Sequence, residues 1–198
     1  MLVLGLTGSL GMGKSTCAAM FAERGVAIFD ADATVHALYR GKAAPLVEAA
    51  FPGTMVEGSI DRNILAKKVV GDPSAIARLE KIVHPLVREA EDVFRARAIR
   101  QGIRIILLDI PLLLESGGEN RVDVVILVST TPAIQKERVL SRAGMSEERF
   151  AALLAKQMPD EDKRRRAHFI IDTSGEIADT NRQVDDVLAA VAGMTGGR

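Results

Sequence analysis

A stretch of small and basic residues near the start of the chain has the composition and spacing of a polyphosphate-binding loop. Residues 8–16 read GSLGMGKST, which satisfies the pattern G-x-x-x-x-G-K-[ST] directly after an apolar run. Gly8, Gly11 and Gly13 let the backbone curl so that successive N–H groups face a polyphosphate, beside the positive end of the following helix. The stretch predicts nucleotide binding; the alternative is a glycine-rich turn that only caps a helix.

The side chains of this loop have separate expected roles. The ammonium of Lys14 can follow the β- and γ-phosphates of a nucleoside triphosphate, while the hydroxyl of Ser15 offers a hard oxygen to Mg²⁺. Met12 and Thr16 belong to the expected ATP-binding set because their backbone N–H groups are part of the cradle. We therefore expect a triphosphate and Mg²⁺ at this loop.

Carboxylates follow two of the apolar runs that we interpret as strands. Asp30 and Asp32 end the second run, where a carboxylate can orient or deprotonate an acceptor hydroxyl near the γ-phosphate or can cap the next helix. Both interpretations stay open for Asp30, and catalysis is favoured for Asp32. Asp109 ends the third run in the form of a Walker B segment, so it either holds Mg²⁺ through water or is a structural acid.

Basic residues cluster in the second half of the chain. Arg138 and Arg142 are four residues apart and are expected on one helix face. Guanidinium groups over a polyphosphate neutralise the charge of the transferring group and exclude water, so we expect both arginines at the ATP site. The run Lys163–Arg166 follows three acidic residues, which favours a solvated helix face for it.

The hydropathy pattern predicts the fold that must position these residues. Short apolar runs alternate with segments of helical period, as in parallel strands joined by crossover helices. The expected strands are residues 2–6, 26–29, 103–108, 124–128 and 169–171. We expect an α/β fold of the P-loop NTPase type, with a doubly wound, five-stranded parallel sheet.

Two longer segments interrupt the alternation. Roughly seventy residues without a clear strand separate the second and third runs, far more than one crossover needs, so we expect a helical insertion over about 33–100. Within it, Pro85 is expected at the first turn of a long helix. A polar helical stretch over about 143–166 is interpreted as a small lid. A single domain, 1–198, then has a nucleotide-binding core of 1–32, 103–142 and 167–192.

Composition limits the class of protein. The 198 residues are 47% hydrophobic and 26% charged, enough for one sizeable core. Lys plus Arg and Asp plus Glu both total 26, so no global field recruits nucleic acid or an anionic membrane. The opening run 2–6 is too short for a signal segment or a membrane span. The single cysteine, Cys17, suits a reducing cytoplasm and is interpreted as a buried small hydrophobe.

The order of these motifs resembles that of the dephospho-coenzyme A kinases, over nearly the full chain. The matching pieces are residues 5–16 (GLTGSLGMGKST), 30–32 (DAD), 61–62 (DR), 84–85 (HP), 111–115 (PLLLE), Gln157 and 171–175 (IDTSG). Many NTPases share the phosphate loop, but the ordered set of Asp-Ala-Asp, His-Pro and Pro-Leu-Leu-x-Glu is specific to this family. The resemblance implies an α/β nucleotide core, a helical substrate-binding insertion and a mobile lid.

The resemblance also implies an activity. This is transfer of the γ-phosphoryl group of magnesium ATP to the ribose 3′-hydroxyl of dephospho-coenzyme A, giving coenzyme A and ADP in the last step of coenzyme A synthesis. By the same resemblance, Asp32 lies beside that hydroxyl and Arg142 meets the ATP phosphates. Four further residues are implied to line or support the acceptor site: Arg62, His84, Leu112 and Glu115.

Two other functions stay open on the sequence. A P-loop kinase for another small metabolite or nucleotide would share the loop, and a GTPase-like switch would match the D-x-x-G form of residues 172–175. That tetrad follows the last strand, and the chain has no Asn-Lys-x-Asp motif for guanine, which disfavours the switch. We expect ATP and dephospho-coenzyme A as partners, no nucleic acid or membrane, and a monomer or weak homo-oligomer.

Overall fold

The computed structural model describes residues 1–195, and strands alternate with helices along them. The strands are β1 (Leu2–Thr7), β2 (Ala27–Asp30), β3 (Met55–Val56), β4 (Ser59–Ile60), β5 (Ile105–Asp109), β6 (Val124–Ser129) and β7 (Phe169–Asp172). The helices are α1 (Lys14–Glu23), α2 (Ala31–Tyr39), α3 (Ala44–Ala50), α4 (Arg62–Val69), α5 (Pro73–Arg100), α6 (Pro132–Leu140), α7 (Glu147–Leu154), α8 (Asp160–Arg166) and α9 (Ile177–Thr195).

Five strands form one sheet in the order β2-β5-β1-β6-β7. The central strand β1 pairs in parallel with β5, Leu6 lying opposite Asp109, and in parallel with β6, Leu6 lying opposite Ile126. Strand β7 joins the outer side of β6, also in parallel. A parallel sheet is buried on both faces, which explains why β1, β5 and β6 are nearly continuous apolar runs. The predicted α/β fold with a five-stranded parallel sheet is confirmed.

The predicted strands are present, and their ends shift by at most two residues. Each of the five strands of the parallel sheet ends at a polar residue that follows the apolar run. These residues are Thr7, Asp30, Asp109, Ser129 and Asp172. The carboxyl ends of parallel strands are where open α/β sheets bind their ligands.

The chain divides into two compact units. The first contains Met1–Phe29 and the chain from Ala98 onward, and its core packs side chains of β1, β6, α1 and α9 around Leu6, Phe21 and Val187. The second, Asp30–Arg97, has its own core around residues such as Tyr39, Val47, Phe51, Leu65 and Val83.

The second unit contains one element that the sequence analysis did not predict. Strands β3 and β4 form a short antiparallel hairpin, with Met55 opposite Ile60 and Val56 opposite Ser59. Glu57 and Gly58 connect them with positive φ angles of 49° and 80°, as a two-residue hairpin turn requires. Strands of two residues are too short to show a hydropathy alternation, so the pattern gave no signal for them.

One predicted helix start was wrong. Pro85 does not begin a helix but lies inside α5, where it is exposed, so water can solvate the carbonyl group that loses its helical partner. The polar helical stretch over about 143–166 contains two helices, α7 and α8, with residues 155–159 between them. Helix α9 reaches Thr195, and residues 196–198 lie outside the described residues.

No helix within residues 1–195 has both the length and the apolar character needed to cross a lipid bilayer.

Candidate active site

The loop between β1 and α1 has the backbone conformation that its glycines predict. Gly11 and Gly13 have φ angles of 81° and 90°, in the left-handed region that side chains disfavour. Gly8 is needed for a different reason, because a Cβ atom there would lie 2.7 Å from the carbonyl oxygen of Val128 on β6. The loop therefore lies too close to the neighbouring strand for any side chain at position 8.

Three side chains from distant parts of the first unit hold this loop in place. Gln135 Nε2 donates a hydrogen bond to the Leu10 carbonyl at 2.8 Å, and Gln157 Oε1 accepts one from the Leu10 N–H at 3.2 Å. Thr173 Oγ1 donates to the Met12 carbonyl at 2.9 Å. All three hydrogen bonds are made to the loop backbone. The conformation of the loop therefore depends little on the side chains of the loop itself.

Lys14 and Asp109 face each other across neighbouring strand ends. Lys14 Nζ donates to Asp109 Oδ1 at 2.5 Å, and the side chains are 15% and 7% exposed. The pairing of β1 with β5 brings them together, since Asp109 lies opposite Leu6 in the sheet. The predicted Walker B acid therefore lies at the phosphate loop.

A cavity of about 340 Å³ adjoins the loop. Its lining brings together five residues that the sequence analysis assigned to ATP: Gly11, Gly13, Thr16, Arg138 and Arg142. Thr173, Gly175, Ile177 and Thr180 complete it. The cavity combines two guanidinium side chains with the glycine-rich backbone, a composition that suits an anionic ligand.

The two arginines are held differently. Arg138 is half-buried and donates to Thr173 Oγ1 at 2.9 Å and to the Thr173 carbonyl at 2.8 Å. Arg142 lies two residues beyond the end of α6 and is exposed, so the expectation that both share one helix face was wrong for Arg142. Arg138 is therefore a fixed part of the cavity wall, and Arg142 a solvent-accessible one.

The donor set at the loop fits Mg²⁺ better than a softer metal. Ser15 supplies an exposed hydroxyl, and Asp109 supplies a carboxylate; both are hard oxygen ligands. Residues 1–195 contain no group of three or more His, Cys, Asp or Glu that could hold a metal ion. Mg²⁺ in phosphoryl-transfer sites usually needs only one or two protein ligands, because water and phosphate oxygens supply the rest.

The acids that follow β2 belong to the second unit. Asp30 caps α2, its Oδ1 accepting a hydrogen bond from the Ala33 N–H at 2.8 Å, which confirms the capping interpretation. Asp32 lies in the first turn of the same helix and is exposed. Its side chain is therefore available to a ligand.

Arg62 begins α4 in the second unit, directly after Asp61, which caps that helix. Its Nη1 lies 2.5 Å from Nε2 of His36 on α2. His36 follows Asp32 by four residues, so the two share a helix face. His84 lies elsewhere in this unit, in an exposed groove of about 960 Å³ along α5.

Leu112 and Glu115 lie in the first unit, in the segment after β5. Leu112 is 45% exposed, unusual for a leucine beside buried Leu113 and Leu114. Glu115 instead contacts protein groups: its Oε1 lies 2.7 Å from Lys163 Nζ and accepts the Met158 N–H at 3.1 Å.

The structure corrects the expectation for the basic run at the end of α8. Lys163 is fully buried, whereas Arg164, Arg165 and Arg166 are exposed. The solvated-face prediction was therefore right for the arginines and wrong for Lys163. A run of four cations gives no local signal of which side chain is buried. Lys163 is buried against Glu115, which is 48 residues earlier in the sequence but adjacent in the fold.

The sequence analysis gave no role at the loop to three residues that hold it, Gln135, Gln157 and Thr173. Gln135 has no local signature, because a glutamine inside a helix is ordinarily a surface residue. Thr173 belongs to the segment 171–175, which was quoted for its family resemblance without a role. Its position directly after β7, at the same sheet edge as the loop, is the signal that identifies it.

Cys17 gives a pH-dependent prediction. The thiol is fully buried on α1, as expected, and burial raises its pKa to about 12, against about 8.5 for an exposed thiol. The stabilising contribution of the buried Cys17 thiol is complete below pH 8.5 and is lost as the pH rises toward 12, because between these pH values the thiol ionises only in the unfolded chain. We expect the stability advantage of the wild type over Cys17→Ala to shrink by about 1.4 kcal/mol per pH unit above pH 8.5. Denaturant titrations at pH 7.5 and 10 measure this; a constant difference contradicts it.

Comparison with known proteins assigns the chain to a family. The family model for dephospho-CoA kinase (CoaE) matches residues 2–179. The dephospho-CoA kinase of Mesorhizobium japonicum is 55% identical over 196 residues, covering 99% of this chain and 100% of that protein. The crystal structure of TT1252 from Thermus thermophilus superposes with a TM-score of 0.83 at 35% identity, covering 96% of this chain and 97% of that one. The dephospho-CoA kinase from Campylobacter jejuni gives 0.65 at 26% identity, with 96% of each chain covered. The chain belongs to the dephospho-CoA kinase family.

Proposed function

We propose that this protein transfers the γ-phosphoryl group of ATP to the ribose 3′-hydroxyl of dephospho-coenzyme A, giving coenzyme A and ADP. The single observation that carries the proposal is the phosphate loop with Lys14 and Asp109 at its mouth, in a chain of this family. The acceptor oxygen forms the new bond to the γ-phosphorus while the bond to the β–γ bridging oxygen breaks and ADP leaves. The hydroxyl proton passes to a base or to water.

The first unit supplies the ATP side of this reaction. The phosphates are surrounded by backbone N–H groups of the loop, from Gly11, Met12, Gly13 and Thr16, next to Gly8. Lys14 neutralises charge on the transferring group. Arg138 and Arg142 add positive charge from the cavity wall. Ser15 and Asp109 would hold Mg²⁺, which supplies further charge neutralisation when bound. The transition state is loose, so positioning and charge neutralisation are most of the catalysis.

The second unit supplies the acceptor side. Asp32, exposed at the start of α2, orients the acceptor hydroxyl and can take its proton. Arg62 and His84 contact the coenzyme, and Leu112 and Glu115 of the first unit line or support the same substrate. In this proposal residues 30–97 form the substrate-binding insertion and 143–166 the lid, which excludes water, the competing acceptor.

The proposal extends to the setting of the reaction. A single, buried cysteine suits the reducing cytoplasm. We infer a monomer or weak homo-oligomer that acts on two small-molecule substrates, without nucleic acid or a membrane.

A coupled assay of ADP release tests the function. With ATP and Mg²⁺ present, we expect dephospho-coenzyme A to stimulate ADP formation at least a hundredfold over the ATP-only rate, and product analysis to show a 3′-phosphate. Shikimate, gluconate and nucleoside monophosphates form the control panel. A larger stimulation by any of these, or none by dephospho-coenzyme A, would reject the assignment.

A further inference from the structure

The buried ammonium group of Lys163 has no role in the chemistry above. Lys163 is 0% exposed, and its Nζ lies 2.7 Å from Glu115 Oε1. The contact is an ion pair without hydrogen-bond geometry, and within residues 1–195 neither Lys163 Nζ nor Glu115 Oε2 has a hydrogen-bond partner. Burying such a pair costs desolvation free energy that a well-packed apolar pair would not. The pair therefore contributes little to stability relative to an apolar substitute.

The pair fixes the connection between α7 and α8. Glu115 Oε1 accepts the N–H of Met158, so the carboxylate that neutralises Lys163 also holds the backbone of residues 155–159. A second link fixes α8 to the end of β6, because Asp160 accepts hydrogen bonds from both Ser129 and Arg164, at 2.8 and 2.7 Å. Arg164 also donates to Ser129 Oγ at 2.7 Å.

The residue before Met158 reaches the phosphate loop. Gln157 Oε1 accepts the N–H of Leu10 at 3.2 Å, and Gln135 holds the carbonyl of the same residue from α6. Leu10 directly precedes Gly11, where the backbone turns into its left-handed conformation. The position of the Gln157 side chain thus influences the direction of the amides that follow Leu10.

We propose that Lys163 is a positioning residue for phosphoryl transfer, which acts through Glu115, Met158 and Gln157 on the phosphate loop. Lys163 keeps the Glu115 carboxylate in place, Glu115 holds the 157–158 backbone, and Gln157 holds Leu10. Preorganised loop amides are worth far more to catalysis than amides that must be ordered at each turnover. This inference rests on the proposed ATP site, but not on the identity of the acceptor.

Kinetics of single and double variants test the chain of contacts. Gln157→Met keeps the length of the side chain and removes the acceptor, and we expect kcat/KM for ATP to fall about tenfold. Lys163→Met should have the same effect through Glu115. Because both act on Leu10, the double variant should be within about twofold of Lys163→Met, not a hundredfold below wild type. The KM for dephospho-coenzyme A should stay within about twofold in Gln157→Met.

A neutral pair keeps the test decisive if Lys163→Met does not fold. In Glu115→Gln/Lys163→Met the amide oxygen can still accept the Met158 N–H, and no unpaired charge is left. We expect its kcat/KM for ATP to be within about threefold of wild type, and adding Gln157→Met should again lower kcat/KM about tenfold. If the neutral pair already has the kcat/KM of Gln157→Met, the proposed order of contacts is wrong.

Arg24→Met is the matched control. Arg24 pairs with Asp185 at the end of α1 remote from the phosphate loop, about 15 Å away along the helix. We expect a lower denaturation midpoint and an unchanged KM for ATP. Additive effects of Lys163→Met and Gln157→Met, or a Lys163→Met enzyme that loses only thermal stability, overturn the inference. An inactive wild type with dephospho-coenzyme A would instead reject the proposed function.

Discussion

Lys14→Met is expected to lower kcat for ADP formation by about a hundredfold to a thousandfold, with a smaller change in the KM for dephospho-coenzyme A. The ammonium group lies at the mouth of the phosphate loop, and the Lys14 side chain is only 15% exposed, so little water is available to replace its charge. Loss of one preorganised group that neutralises charge in the transition state typically has this cost. Steady-state kinetics with saturating ATP measure the effect.

Lys136→Met is the control for this variant. Lys136 carries the same charge in the same unit, but its ion pair with Glu147 is exposed, so its removal should change kcat less than twofold. Because Lys14→Met also removes a contact of the buried Asp109, thermal unfolding of both variants should be compared. A folded Lys14→Met enzyme with kcat within tenfold of wild type would remove Lys14 from the mechanism.

The second large effect is expected for Asp32→Asn. The substitution keeps the size of the side chain and its place in the first turn of α2 but removes the charge proposed to orient and deprotonate the acceptor hydroxyl. We expect kcat to fall by about a hundredfold to a thousandfold at unchanged stability, since the side chain is exposed. Binding of ATP, measured by calorimetry without acceptor, should be unaffected.

Asp30→Asn provides a control two residues away. Asp30 caps α2 through its Oδ1, and asparagine caps helices about as well as aspartate. This variant should therefore keep its fold and nearly all of its activity. If Asp30→Asn loses activity and Asp32→Asn does not, the carboxylate that acts on the acceptor is Asp30, and the assignment in the proposed mechanism is wrong.

The features that could be predicted are those with a local cause. The phosphate loop needs glycines at fixed intervals because two of its residues have positive φ angles, and a pattern of eight consecutive residues marks the loop. The strands were predicted to within two residues because a parallel sheet buried on both faces demands continuous apolar runs. The turn Glu57–Gly58 and the hairpin beside it were missed, since two-residue strands leave no hydropathy period.

Local sequence patterns predicted structure less well where one residue type can have several structural or functional roles. An acid after a strand can cap a helix or act on a substrate, and Asp30 and Asp32 have the same local surroundings in the sequence. The hydrogen bond from Ala33 makes Asp30 a cap, while Asp32 points to solvent. Sequence alone also does not distinguish a proline at a helix start from a proline inside a helix. Pro85 lies inside α5, at an exposed position.

Short-range order along this chain therefore specifies the loop, the sheet and the family, because backbone conformation and burial are imposed residue by residue. The supports of the loop depend on contacts between residues far apart in sequence. Leu10 is held by Gln135 and Gln157, which are 125 and 147 residues away, and Lys163 is buried because folding brings Glu115 to it. Such pairings leave no periodicity or spacing in the sequence, because the partners come together only when the helices and strands pack. That is why candidate reactive groups could be predicted from the linear chain, whereas the side chains that hold the phosphate loop were revealed only by the folded one.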